Sequence, residues 1–78
     1  MINIIGLGYI GLPTALMFAT HGTEVIGTDY NTQLVHELNA GRITFKEEGL
    51  GQLFEEALSK GITFTTDYQV TDTYIIAV

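Results

Sequence analysis

Seventy-eight residues, 46% hydrophobic and 15% charged, make one domain at most and a core-forming segment, neither a disordered tail nor a linker. A formal net charge of −6, with Arg42, Lys46 and Lys60 the only Arg or Lys, argues against nucleic acid or an anionic membrane as partner, since both need clustered cations. The absence of cysteine excludes a disulfide scaffold, a thiolate metal site and a cysteine nucleophile within these residues.

No apolar run approaches the length of a membrane span, and Met1 leads straight into a strand-like stretch, so a cytoplasmic location is expected. Ile2-Asn3-Ile4-Ile5 predicts a parallel strand covered on both faces. Gly6-Leu7-Gly8-Tyr9-Ile10-Gly11 then leads into a helical pattern from Gly11 to His21, with Leu12, Leu16 and Ala19 at helical spacing beside Ala15 and Phe18. Strand, tight turn and helix start in that order form the arrangement that holds a dinucleotide diphosphate. Gly6 is expected to turn the chain out of the strand. Gly8 lets the main chain approach a phosphate with no Cβ between, and Gly11 lets the helix lie close on the strand. The N–H groups of Tyr9 and Ile10, with the positive end of the helix dipole, serve the diphosphate without a lysine. Pro13 suits the first helical turn, Gly22 is the expected stop, and His21 reads as an exposed residue near the helix C-terminus, not a catalytic one.

Glu24 to Asp29 is the predicted second strand. Asp29, eighteen positions after Gly11, stands where an acidic residue takes the adenosine ribose. A carboxylate accepts from the ribose diol and repels a 2′-phosphate, and Tyr30-Asn31-Thr32-Gln33 offers no cation, so NAD is expected in preference to NADP. The competing role for Asp29 is a helix cap, which Asn31 contests. A second helix spans Thr32 to Asn39, with Leu34, Val35 and Leu38 inward, His36 on the polar side and Gly41 as its stop. Arg42 to Glu48, where Ile43 and Phe45 alternate with polar residues, is an irregular connection. A third helix from Gly49 or Leu50 to Lys60 puts Leu50, Leu53, Phe54, Ala57 and Leu58 on one face, and Gly61 ends it. Glu47, Glu48, Glu55 and Glu56 read as solvated acids, not as a catalytic cluster. Ile62 to Thr65 alternates as a strand, Asp67 to Asp72 makes a short crossover, and Thr73 to Val78 is a final buried strand. No catalytic residue and no metal site is expected, because two histidines without cysteine or converging carboxylates make a poor ligand set.

The order predicts an α/β fold: half of a doubly wound Rossmann-type parallel sheet, with four strands ordered 3-2-1-4 and three helices mainly on one face. Residues 1–78 read as the amino-terminal part of an NAD-binding domain. Because the last strand runs to the final residue and no helix remains for the opposite sheet face, the chain reads as a fragment expected to expose that face and self-associate. Besides an enzyme domain, a nucleotide-sensing regulatory module of a transport or gating protein shares the glycine fingerprint. A flavin-binding half-domain is disfavoured by aspartate, not glutamate, after the second strand.

Gly6-Leu7-Gly8-Tyr9-Ile10-Gly11-Leu12-Pro13-Thr14-Ala15, Val25 to Asn31, Leu38-Asn39-Ala40-Gly41, Glu48-Gly49-Leu50 and Ile75-Ile76-Ala77-Val78 together resemble the start of the nucleotide-sugar 6-dehydrogenases, over the whole chain. The Tyr-Ile-Gly-Leu-Pro-Thr-Ala form is most similar to the UDP-N-acetyl-D-mannosamine dehydrogenase branch and its polysaccharide-biosynthesis relatives. Glu48 stands where that family commonly has proline, and Leu34 where some members carry arginine near the adenosine. The resemblance implies an NAD-dependent enzyme oxidising the primary alcohol of a UDP-hexose to a carboxylate in two hydride transfers, through a thiohemiacetal on a cysteine. It places that cysteine, the catalytic lysine and the sugar-binding domain downstream. Cofactor binding is what it carries onto this chain: Gly6, Gly8, Tyr9, Ile10 and Gly11 for the diphosphate and Asp29 for the ribose, with the UDP-sugar a partner of the full-length parent only.

Overall fold

The structure, a computed structural model, describes residues 1–43 and 47–77. The expected alternation at Phe45 and the end of the last strand at Val78 lie outside the described residues. In chain order the elements are β1 (Ile2–Ile5), α1 (Gly11–Thr20), β2 (Val25–Thr28), α2 (Thr32–Asn39), α3 (Leu50–Lys60), β3 (Thr63–Thr65) and β4 (Thr73–Ile76). All four strands are parallel and lie in the order β3-β2-β1-β4, the predicted half of a doubly wound sheet.

Helix ends follow from local chemistry. Asn31 caps α2, its side chain accepting from the Leu34 N–H at 3.1 Å, so the cap contested between Asp29 and Asn31 belongs to Asn31. Past each C-terminus a glycine at positive φ reverses the chain, at Gly22, Gly41 and Gly61. The last carbonyls are taken up in paired bonds such as Thr23 N–H to Phe18 O and Gly22 N–H to Ala19 O. Helix α1 stops at Thr20 and not at His21, which is its exposed cap residue.

Strand β2 is shorter than expected at both ends. The carbonyl of Glu24 still accepts from Ile2 N–H, and the N–H of Asp29 still donates to Thr65 O, so both residues take part in the ladder just outside the strand proper. Registers pair Ile2 with Val25 and Thr73, and Ile4 with Gly27 and Ile75. Side chains alternate across a strand, so Ile4, Val25 and Phe64 share one face. They join Leu12, Ala15, Leu16, Ala19, Val35, Leu38, Leu50, Phe54 and Ala57 in a single buried cluster. The Phe54 and Phe64 rings, 6.1 Å apart and tilted by 34°, fasten α3 to β3. Leu58, expected inward, is exposed. The inward stripe of α3 is Leu50, Phe54 and Ala57, and the residue after Ala57 lies about 100° further round the helix.

Strand β4 was expected to be buried, and it is not. Thr73, Tyr74 and Ile76 are exposed and Ile75 is half-buried, because β4 is an outer strand and its Tyr74 and Ile76 lie on the face away from the helices. The open face carries Asn3, Ile5, Ile26, Thr28, Tyr74 and Ile76. The crossover between β3 and β4 touches it: Asn3 Nδ2 and the Tyr74 hydroxyl both donate to Gln69 O, at 3.3 and 3.1 Å. Thr28 donates to Asn3 Oδ1 at 2.7 Å, so these two polar side chains, the fully buried ones among the described residues, satisfy each other.

Candidate functional site

The loop joining β1 to α1 is assembled from its glycines outward. Gly6 has φ of +97°, a conformation that L side chains rarely adopt, and its N–H donates to Thr28 O at 2.8 Å. The chain turns there, as the sequence predicts. At Gly11 a Cβ would lie 1.6 Å from the Gly6 carbonyl oxygen and 3.2 Å from the Ala77 Cβ, so only glycine allows α1 to start against the end of β1. At Gly8 a Cβ would meet nothing within 4 Å. Its bare Cα is exposed, leaving the main chain open to a ligand.

Gly6, Gly8, Tyr9, Ile10, Asp29 and Ala77 line a cleft of about 270 Å³ at the carboxyl ends of β1, β2 and β4. The predicted site residues therefore converge, with Gly11 buried beneath them. Helix α1 begins at this cleft with Ile10 as its cap and no side-chain cap hydrogen bond. The positive end of its dipole is thus left for a ligand. No Arg or Lys is among the lining residues. The volume falls just short of a whole-ligand pocket.

The Asp29 carboxylate sits at the rim. Its Oδ2 accepts from the Leu7 N–H at 2.8 Å and its Oδ1 from the Asn31 N–H at 2.9 Å. Each carboxylate oxygen has a second acceptor site, so both can also take a ribose hydroxyl.

Sequence reasoning missed Ala77, Gly27 and Leu7. The strand order 3-2-1-4 places the end of β4 beside the end of β1, and that was the signal for Ala77. Nothing in the local pattern marked Gly27, where a Cβ would stand 2.9 Å from a Leu7 methyl and 3.0 Å from the Phe64 ring. A larger cavity of about 670 Å³ lies elsewhere, rimmed by Glu47, Glu48 and Glu55, and its charge is the wrong sign for a diphosphate. Among the described residues no cluster of three His, Cys, Asp or Glu could hold a metal ion, and no helix is long and apolar enough to cross a membrane.

The family model of the NAD-binding domain of the UDP-glucose/GDP-mannose dehydrogenase family matches residues 1–78. The chain belongs to that family. It is 45% identical over 78 residues to a UDP-N-acetyl-D-mannosamine dehydrogenase of Methanococcus maripaludis, and equally so to an NDP-N-acetyl-D-galactosaminuronic acid dehydrogenase of Ralstonia nicotianae. In both cases the match covers 99% of this chain and 18% of the relative. The native structure of a UDP-N-acetyl-mannosamine dehydrogenase from Staphylococcus aureus superposes with a TM-score of 0.94 at 46% identity, over 99% of this chain and 19% of that one. This member of the family thus spans about a fifth of its relatives' length, and all of it is matched by the NAD-binding-domain model.

Proposed function

We propose that the chain is the amino-terminal, NAD-binding portion of a longer cytoplasmic nucleotide-sugar 6-dehydrogenase of the UDP-N-acetyl-D-mannosamine type. In this reading the parent protein converts the primary alcohol of a UDP-hexose to a carboxylate, using two NAD and one water per sugar and releasing two NADH. NAD accepts the hydride when bound. The chain's own residues bind and orient it: the loop from Gly6 to Gly11 takes the diphosphate, with the N–H groups of Tyr9 and Ile10, and Asp29 accepts from the ribose diol. With no cysteine among its residues, the chain supplies no nucleophile of the kind the family uses.

The observation carrying the cofactor assignment is the Asp29 carboxylate beside a glycine loop in a cleft lined by no cation. A 2′-phosphate held about 4 Å from that carboxylate meets a repulsion of about 1–4 kcal/mol per unit charge, depending on solvent access. NAD should therefore bind the full-length protein at least about fivefold more tightly than NADP at low salt. Competitive titration by calorimetry tests this, and equal affinities would end the argument from Asp29. The sugar is tested by supplying UDP-N-acetylmannosamine, UDP-N-acetylgalactosamine and UDP-glucose with NAD, and counting NADH released per sugar. Turnover of UDP-N-acetylmannosamine with two NADH each supports the assignment, whereas preference for another sugar reassigns the branch.

A further inference from the structure

Leu7 is the one residue of the glycine loop whose side chain is wholly buried, and it is gripped at two independent points. Its N–H donates to Asp29 Oδ2 at 2.8 Å. Its side-chain methyls lie over the bare Cα of Gly27, where an added Cβ would approach them to 2.9 and 3.2 Å and the Phe64 ring to 3.0 Å. Immediately before it, the Gly6 N–H is held by Thr28 O. Three consecutive residues at the end of β2 therefore fix two consecutive residues of the loop, by a vacant Cβ position, a carbonyl and a carboxylate.

We propose that Asp29 and Gly27 are positioning residues for the diphosphate loop, both acting through Leu7, so that the carboxylate facing the ribose also sets the loop that grips the diphosphate. The proposal rests on the NAD reading above and deepens it. A hydrogen bond to a charged acceptor is among the stronger ones, and leaving a part-buried N–H without one is unfavourable. Without the carboxylate, Leu7 N–H loses its acceptor and the loop shifts to find another. Adenosine discrimination and diphosphate affinity are then coupled at one side chain. Were Asp29 a discriminator alone, deleting its charge would simply admit NADP.

Gly27 separates the two effects. It carries no charge and is absent from the cleft lining, so a methyl there reaches the cofactor by displacing Leu7, which of the two side chains it would crowd is the one that belongs to the loop. The test uses the full-length protein as parent, Asp29→Ala, Gly27→Ala and the double variant Gly27→Ala/Leu7→Val, whose smaller side chain makes room for the methyl. NAD and NADP affinities are measured by calorimetry well below each melting temperature, and hydrogen exchange at the Leu7 amide by mass spectrometry or NMR.

Asp29→Ala should weaken NAD by about tenfold or more, with Leu7 exchange faster by a similar factor, as expected for loss of a charge-assisted hydrogen bond, while NADP loses the same clamp but is relieved of the carboxylate's repulsion. Gly27→Ala should weaken both cofactors by one common factor, roughly threefold to tenfold, with their ratio unchanged, and Leu7→Val should recover most of it. A folded Asp29→Ala protein that binds NADP more tightly than the parent and keeps Leu7 protected would overturn the proposal. So would a Gly27→Ala protein with parental affinities. If the parent binds neither cofactor, the NAD reading fails, while the Leu7 exchange rates still decide the clamp. If Asp29→Ala does not fold, the Gly27→Ala series decides alone.

Discussion

Gly8 and Gly11, three residues apart in one motif, do opposite work. Gly11 leaves no room for a side chain, since the added carbon would sit 1.6 Å from a backbone oxygen. Gly8 leaves all the room there is. Gly11→Ala should therefore destabilise the fold by about 3 kcal/mol or more, the upper end for overpacking against groups that cannot yield, and a urea titration would show it. Gly8→Ala should melt within about 0.5 kcal/mol of the parent, as surface substitutions usually do, yet bind NAD roughly tenfold more weakly, about 1.4 kcal/mol. Parental NAD affinity in folded Gly8→Ala would remove Gly8 from the proposed diphosphate contact. The glycine spacing made all three glycines legible. The division of labour was legible too, because a close helix start and an open approach are separate requirements of the same turn.

At the scale of elements, the buried polar pair fastens the sheet to its helix-free crossover. Asn3→Ala would leave Thr28 Oγ1 without its acceptor and Gln69 O without one of its two donors, at about 1–3 kcal/mol. Urea unfolding would measure it, and an unchanged midpoint would mean that water replaces Asn3. Helix α2 depends on its cap: Asn31→Ala should lose about 1 kcal/mol, seen as a lower melting temperature. Beyond the other end of α2, Arg42 pairs with Glu37. The hydrogen bond from Arg42 is the main cause holding the Glu37 carboxyl below its ordinary value, and the same bond raises the guanidinium. A carboxyl depressed in the folded state stabilises the protein above its unfolded pKa, and that contribution is lost as pH falls through the folded value. Glu37→Gln should therefore melt slightly below the parent at neutral pH and together with it in acid. The gap should be small and close in high salt, since both ends face water. The helix boundaries were readable because caps and stops are local chemistry. The buried state of Asn3 was not, because its partners lie 25 and 66 positions away in sequence.

For the molecule as a whole, three helices on one face leave the other with Ile5, Ile26, Tyr74 and Ile76, of which Ile76 is 69% exposed. By itself the 78-residue chain should associate through this face, because strands of a parallel sheet are ordinarily covered on both sides. Sedimentation across a concentration series should show dimers or larger species that Ile76→Lys reduces, and a monomer at every concentration would contradict the expectation. Hydrophobic periodicity and glycine placement by themselves determined the parallel α/β order, the three helices and the glycine loop, and with Asp29 they gave the expectation of NAD, since each depends on residues near one another in the chain. Tertiary structure alone decided that Asp29 holds the Leu7 amide, that Gly27 is a seat for Leu7 and that Asn3 and Thr28 are buried against each other. Those facts depend on which atoms meet across residues 20 or more positions apart in sequence, and no local pattern of side chains encodes that.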